Sequence, residues 1–323
     1  MAPPAAPCLH VTNGDSAVAL IAPRVAPEPV LPWRDMLHDG PVSAGLGLEA
    51  LSAERARFLA GCFGLDPAAV LAEFQARDAC LRAAIAERAA FVLWFEHDLY
   101  DQLQLVQVLS LLAEAGVPAA RIELAQADEH LGETTPEALA GLPRRPVTGA
   151  QMVLAAEAWA AFQAPTPEGL VPIQATPPAA LPWLGPAIAR LLEELPAPGS
   201  GLSRTERRIL ETLRQGPMPA GALFRAVGAL EPARFLGDWP FFLRLDALAA
   251  PPCQLVKGLP DGGFHGPSYA GATVRLTAAG EAVLAGRLDR ATALPVDRWL
   301  GGTRLGKGPL WRWDPDGRRL ARG

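Results

Sequence analysis

The sequence predicts an α/β fold: an open, mainly parallel sheet domain over residues 1–196, followed by a smaller winged-helix-like α+β domain over residues 197–323. Three observations carry that expectation. Strand-like and helix-like segments alternate through the first half, Pro196-Ala197-Pro198-Gly199-Ser200-Gly201 has the composition of a linker, and the charge balance changes sign across it. Residues 1–200 hold 11 bases and 23 acids, a net of −12, whereas the remainder holds 18 bases and 11 acids, a net of +7.

Leu9-His10-Val11-Thr12 is a short apolar run that ends in Asn13-Gly14-Asp15-Ser16, and Ala17–Ile21 beyond it has helical composition, so the segment reads as strand, turn, helix. Val30–Trp33 is a weaker strand because Pro32 cannot donate to a ladder, and Gly40-Pro41 marks the loop that follows. Two helices are expected at Ser52–Phe63 and Pro67–Arg88. Phe91-Val92-Leu93-Trp94-Phe95 is a continuous apolar run of the kind buried on both faces of a parallel sheet, and it stops at Glu96-His97-Asp98. Leu103, Val106, Leu109 and Leu112 then recur at helical spacing, Gly116 ends that helix, and Arg121–Leu124 restarts a strand. Strand, helix and strand in this order imply a right-handed parallel unit. Gly149–Phe162 and Ala179–Leu195 complete the half as helices.

Beyond the linker, Ser203-Arg204-Thr205-Glu206 is a capping box that opens a helix through Leu213. Ala220–Val227 and Ala233–Ala249 follow as helices, Gln254–Lys257 and Thr273–Leu276 as strands around a Gly/Pro-rich hairpin, and Thr277 leads into a last short helix. Three helices and a hairpin in that order give the winged-helix-like expectation.

The cysteines, Cys8, Cys62, Cys80 and Cys253, form no CxxC pair, which argues against a disulfide framework or a zinc knuckle and for a reducing compartment. Met1–Pro7 has no basic and apolar leader pattern, and no window approaches a membrane-spanning apolar run. A cytoplasmic protein with no membrane partner is the expectation.

In an open parallel sheet, ligands sit beyond the carboxyl ends of the strands, where loops diverge and helix N-termini present free N–H groups. Polar clusters follow three candidate strands, and together they nominate Asn13, Gly14, Asp15, Ser16, Asp35, Glu96, His97, Asp98 and Gln102 as a binding site for a small polar or phosphorylated ligand. Helix capping and turn formation are the plainer roles of the same residues. His38, Asp39, Glu96, His97 and Asp98 are the ligand types of a hydrolytic cation, which supports a second reading as a metal-assisted phosphoester hydrolase. No HExxH-like spacing designates a metal site, and no GxGxxG or P-loop pattern designates a nucleotide, so cofactor and catalytic residues stay unassigned. A purely structural interaction protein is the third reading.

The basic half places Arg204, Arg207 and Arg208 on one helix, then Arg298, Arg304, Lys307, Arg312, Arg318, Arg319 and Arg322 among Trp299, Trp311 and Trp313. Cations interleaved with flat rings suit a nucleic acid. The helix expected to enter a groove, however, offers only Arg234 and Arg244 against Asp238 and Asp246, which favours a dimerisation or packing module over a nucleic-acid reader.

Gly14-Asp15-Ser16 is similar to the nucleophile block of GDS-type esterases, whose base comes from an Asp-x-x-His near the end of the domain; here Asp35-Met36-Leu37-His38 stands close behind it instead. Over nearly the whole chain, a broader resemblance rests on Leu9-His10-Val11-x-x-Gly14-Asp15-Ser16-Ala17, Trp33-x-Asp35-x-Leu37-x-x-Gly40-Pro41 and Trp94-x-x-x-Asp98-x-x-x-Gln102-Leu103. With Gly201-Leu202-Ser203-x-Thr205-Glu206, Asp297–Gly302 and Trp311–Asp314, these blocks resemble the bacterial domain-of-unknown-function family numbered 1835 and the C-terminal part of its longer members. That resemblance implies a family and no activity.

Overall fold

Five strands make the central sheet: β1 (Cys8–Thr12), β2 (Val30–Pro32), β3 (Ala90–Glu96), β4 (Ile122–Ala127) and β5 (Arg145–Pro146), in the order β2-β1-β3-β4-β5. All pairs are parallel except β4 with β5 at the edge. This is a computed structural model, and it describes residues 7–131, 134–266, 268–294, 296–306 and 309–323. The chain leaves β1 through α1 (Asp15–Val25) for β2 on one side. It then crosses back through α2 (Leu48–Phe63) and α3 (Pro67–Ala86) to β3 on the other. The loops after β1 and β3 therefore part, and a crevice opens at the carboxyl edge between them.

Alternation along the strands divides the core. Leu9, Val11, Phe91, Leu93, Phe95, Ile122 and Leu124 pack against α4 (Leu99–Glu114), α6 (Gly149–Gln163) and α8 (Leu184–Leu192), whereas Val92, Trp94, Ala125 and Ala127 pack against Ala17, Ile21 and Val25 of α1. The continuous apolar run of β3 follows from cover on both faces. Pro32 is accommodated because β2 is an edge strand and Pro32 is its last residue. The helix expected over Ala179–Leu195 begins only at Leu184, preceded by turns rich in proline and by the short α7 (Leu170–Gln174). The remaining element of this half is α5 (Pro136–Gly141).

The C-terminal half runs α9 (Arg204–Arg214), β6 (Met218–Pro219), α10 (Ala220–Gly228), α11 (Asp238–Ala249), β7 (Val256–Lys257) and β8 (Thr273–Leu276), with an antiparallel sheet in the order β6-β8-β7. The capping box forms: Ser203 Oγ accepts from the Glu206 N–H at 3.2 Å, and Glu206 Oε2 accepts from the Ser203 N–H at 2.8 Å. The helix expected from Ala233 starts instead at Asp238, so Ala233–Gly237 is a loop. Two short helices, α12 (Ala278–Leu284) and α13 (Arg290–Ala293), precede two hairpins that the sequence reading does not anticipate. These are β9 (Arg298–Leu300) with β10 (Thr303–Leu305), and β11 (Trp311–Asp314) with β12 (Arg319–Arg322). Leu300, Leu305, Trp311 and Trp313 enter the same core as the large face of the central sheet. At the first of these turns the backbone lies against Phe162 and Gln163, and Gly301 has a φ of +59°, so a side chain there would collide. No helix among the described residues is long and apolar enough to cross a membrane.

A buried ionic network joins the halves. Glu194, behind α8, meets Arg190 at 2.8 Å, Arg244 of α11 at 3.4 Å and Arg298 of β9 at 3.5 Å, and accepts from the Thr205 hydroxyl at 2.5 Å. Arg244 also makes a two-pronged contact with Asp39, at 2.9 and 3.1 Å, and Arg190 does the same with Glu231, at 3.0 and 2.7 Å. Burial by itself would raise the Glu194 carboxyl, but Arg190, Arg244 and Arg298 overcome it and hold the group well below its ordinary value. Arg244→Met takes the guanidinium from the half-buried Asp39 and one of three from the buried Glu194, and is expected to lower the unfolding free energy by about 3 kcal/mol in urea titrations near neutral pH. A loss below about 1 kcal/mol would show that the network is not a principal tie between the halves.

Candidate functional site

The carboxyl ends of β1, β3 and β4 deliver side chains to one cavity of about 460 Å³, lined on its floor and walls by Asn13, Gly14, Asp15, Ser16, Glu96, Asp98, Tyr100, Asp101 and His130. It lies at the β1/β3 switch point. Phe224 of α10 and the Arg234–Gly237 loop form the opposite wall, so the C-terminal half roofs the cleft.

Asn13 is the hinge pin of the polar floor. Its amide donates to Glu96 Oε1 and to Asp101 Oδ2, each at 2.9 Å, tying the end of β1 to the β3–α4 turn. Glu96 Oε1 also accepts from the Leu131 N–H at 2.8 Å, and Glu96 Oε2 from His130 Nδ1 at 2.7 Å. Asp98 caps α4 by accepting from the Asp101 N–H at 3.1 Å, while Asp101 Oδ1 accepts from the Glu96 N–H at 2.7 Å. Gln102 lies underneath, its amide donating to the Glu96 carbonyl at 2.6 Å. The cap role that the sequence allows for this turn is thus real, and it coexists with convergence on the cleft.

Three carboxylates, Glu96, Asp98 and Asp101, are each no more than 3% exposed and share one small volume. Burial, then the adjacent Glu96 charge, pushes the Asp98 carboxyl up to about 7. Burial and the charges of Asp98 and Glu96 raise Asp101 well above its ordinary value. The hydrogen bond that His130 donates to the Glu96 carboxylate raises the imidazole above its ordinary value. Such crowding is relieved by a proton or by a cation. Glu96, Asp98 and His130 present oxygen and nitrogen atoms within 4.8 Å of one another, a donor set suited to a hard or borderline divalent ion.

The nominated residues separate into three groups. Asn13, Gly14, Asp15, Ser16, Glu96 and Asp98 line the cleft, and Gln102 supports it from below. His97 faces elsewhere, its ring 5.6 Å from Trp183 in a different cavity, because neighbouring residues of an extended segment point to opposite sides. Asp35 is buried away from the cleft and serves the loop after β2. Arg55, fully buried, donates to Asp35 Oδ1 at 2.9 Å and to the carbonyls of Met36, Asp39 and Pro41. The Trp33–Pro41 block is therefore a clamp around a guanidinium. His38, the base that an esterase-like Ser16 would need, is buried with its ring edge-on to Phe235 at 5.2 Å and to Tyr100 at 5.9 Å, and among the described residues neither ring nitrogen has a hydrogen-bond partner, Asp39 Oδ2 lying 3.9 Å from Nε2. Burial lowers it to about 4, so it is a neutral packing group.

His130 is the residue that the sequence reading misses. A signal existed: Asp128-Glu129-His130 follows β4 as Asn13–Ser16 follows β1, so it stands at the same carboxyl edge. A second His-containing cluster, Cys8, His10 and Glu28, is less suited to a metal. Trp94 Nε1 donates to His10 Nδ1 at 3.0 Å and His10 Nε2 lies 2.6 Å from Glu28, which engages both ring nitrogens.

Many C-terminal arginines face carboxylates of the chain itself. Arg204 pairs with Glu193 at 2.7 Å, Arg208 with Glu211 at 3.0 Å, Arg304 with Asp297 at 3.1 Å, Arg312 with Asp289 at 2.9 Å and Arg319 with Asp314 at 3.2 Å. Lys307 lies outside the described residues. No family model matches the chain, and no curated protein matches it.

The raised Asp98 carboxyl has a thermodynamic signature. Between its ordinary value of 3.8 and its folded value of about 7, the folded state holds a proton that the unfolded state has released, so stability falls as pH rises through that window. One retained proton corresponds to at most about 1.4 kcal/mol per pH unit. Urea unfolding of Asp98→Asn at a series of pH values is expected to show a shallower decline than the parent chain. Superimposable pH profiles would contradict the assignment.

Proposed function

We propose that the chain is a binding protein whose cleft takes a small polar or phosphorylated ligand, held through a divalent cation at Glu96, Asp98 and His130. The observation that carries this reading is the convergence of three buried carboxyl groups and one imidazole on a preformed cavity at the switch point. A bare phosphate would be repelled by that floor. A cation removes the repulsion and turns the same oxygens into an anchor. Asn13 orients two of the carboxylates, and Asp15 is already engaged, accepting from Arg34 Nε at 2.9 Å. When bound, the cation would supply positive charge for an anionic ligand group; the chain's own part is to place the donors on the floor facing the Arg234–Gly237 loop.

The order α9, β6, α10, α11, β7, β8 supports reading the C-terminal half as a winged-helix-like module. We read that module as turned onto its own α/β half. Arg244, one of the few cations that α11 could offer to a groove, is 7% exposed and paired with Asp39 and Glu194. This supports a roof over the ligand and a surface for reporting it to a partner, in preference to major-groove reading. The free cysteines support a reducing, cytoplasmic setting.

Isothermal titration calorimetry with Mn²⁺, then with inorganic phosphate, tests the proposal. Saturable Mn²⁺ binding is expected, weakened at least tenfold by Glu96→Gln and by His130→Ala, with phosphate heat seen only when Mn²⁺ is present, in keeping with the usual cost of losing a ligand or its orienting partner. No Mn²⁺ binding, or binding indifferent to both substitutions, would overturn it.

A further inference from the structure

A second cavity of about 330 Å³ lies against the cleft and shares four wall residues with it, Phe224, Arg234, Phe235 and Leu236. Its lining is the more apolar of the two, although Thr205, Arg225 and Glu231 also border it. Val227 and Phe241 are buried side chains on its lining, and Phe224 packs its ring 5.4 Å from Phe241 and 6.3 Å from Phe242. The shared wall is held in place from outside. Phe235 sits edge-on to His38 at 5.2 Å, and the Arg190 guanidinium lies 4.8 Å from its ring centre. The second cavity is thus as preformed as the first, and its volume falls at the lower end of the roughly 300–1,000 Å³ typical of small-molecule sites.

A small anion in the polar cleft alone would leave this apolar chamber facing water along a common wall. A molecule with an anionic end and an apolar end would use both chambers, removing the apolar walls from water while keeping its charge at the carboxylate, imidazole and cation end. Arg234 lines both cavities and so stands at their junction. We propose that the ligand is bipartite: a phosphomonoester or phosphonate head in the Glu96/Asp98/His130 cleft, carrying an aromatic or aliphatic body that enters the Phe224/Val227/Phe241 chamber. This rests on the cation-assisted reading of the cleft and adds the class of ligand.

The test uses the full chain and two probes, inorganic phosphate and 1-naphthyl phosphate, each titrated in the presence of Mn²⁺. Gly228 supplies the control, because it lines the apolar chamber at the end of α10 and a Cβ built on it meets nothing closer than Arg234 Cδ at 3.9 Å. Gly228→Leu therefore adds an apolar side chain at the chamber wall from a position where the first added carbon has room. The expected result is at least tenfold tighter binding of 1-naphthyl phosphate than of phosphate to the parent chain. In Gly228→Leu that advantage falls to less than twofold, with Mn²⁺ and phosphate affinities unchanged. Equal affinities for the two probes in a chain that binds Mn²⁺, or an advantage that survives Gly228→Leu, would overturn the bipartite ligand alone. Absence of Mn²⁺ binding to the parent chain would overturn the reading of the cleft and this inference with it.

Discussion

The Glu194 carboxylate is the point on which the arrangement of the two halves turns. It is buried among Arg190, Arg244 and Arg298, which come from α8, from α11 and from β9. Removing such a charge from water is costly, and only several well-placed cations and a hydroxyl make it tolerable. The geometry that satisfies Glu194 also fixes what lies next to it. Arg190 holds Phe235 and Glu231, Arg244 holds Asp39, and the loop between Glu231 and α11 is thereby stretched across the carboxyl edge of the central sheet. The roof of the cleft is a consequence of the ionic tie.

Beneath that roof the balance is reversed. Around Glu194 each carboxylate has its cation, while around Asn13 the hydrogen bonds to the Glu96, Asp98 and Asp101 carboxyl groups come, among the described residues, from the Asn13 amide, the His130 imidazole and backbone N–H groups. Asp98 and Asp101 are driven toward their neutral forms by burial and by nearby charge, that of Glu96 for Asp98 and those of Asp98 and Glu96 for Asp101. Structural sites in proteins tend to cancel buried charge, and a cluster left in deficit beside a cavity is the pattern of a site completed by something else. The neighbouring apolar chamber extends the same reasoning from charge to hydrophobic surface.

Much of the sheet was legible in the sequence because local chemistry agreed with the fold. The apolar run of β3, the Gly116 stop and the Ser203–Glu206 capping box all lie where the residues place them. The glycine and asparagine after β1 and the carboxylates after β3 were legible as a cleft because the switch-point rule converts strand ends into a site. What was not legible depended on tertiary partners. Asp35 resembled a cleft residue until Arg55, twenty positions further along, claimed it. His97 looked like a ligand because adjacency in sequence says nothing of which side a residue faces. The two C-terminal hairpins are too short to show a period, and they are held by packing of Trp311 and Trp313 on the large core and by the close approach of Gly301 to Phe162. The positive charge of the second half suggested an external acidic partner, yet many of those arginines face carboxylates of the same chain.

The central claim is that a cation site lies at the β1/β3 switch point, beneath a roof supplied by the other half of the molecule. Paramagnetic broadening by substoichiometric Mn²⁺ in the amide spectrum of the full chain addresses it directly. The account predicts selective loss of the Asn13, Gly14, Glu96, Asp98 and His130 signals together with Leu236 and Gly237 from the C-terminal half. Broadening centred on Cys8, His10 and Glu28, or confined to the α/β half with Leu236 and Gly237 untouched, would contradict it.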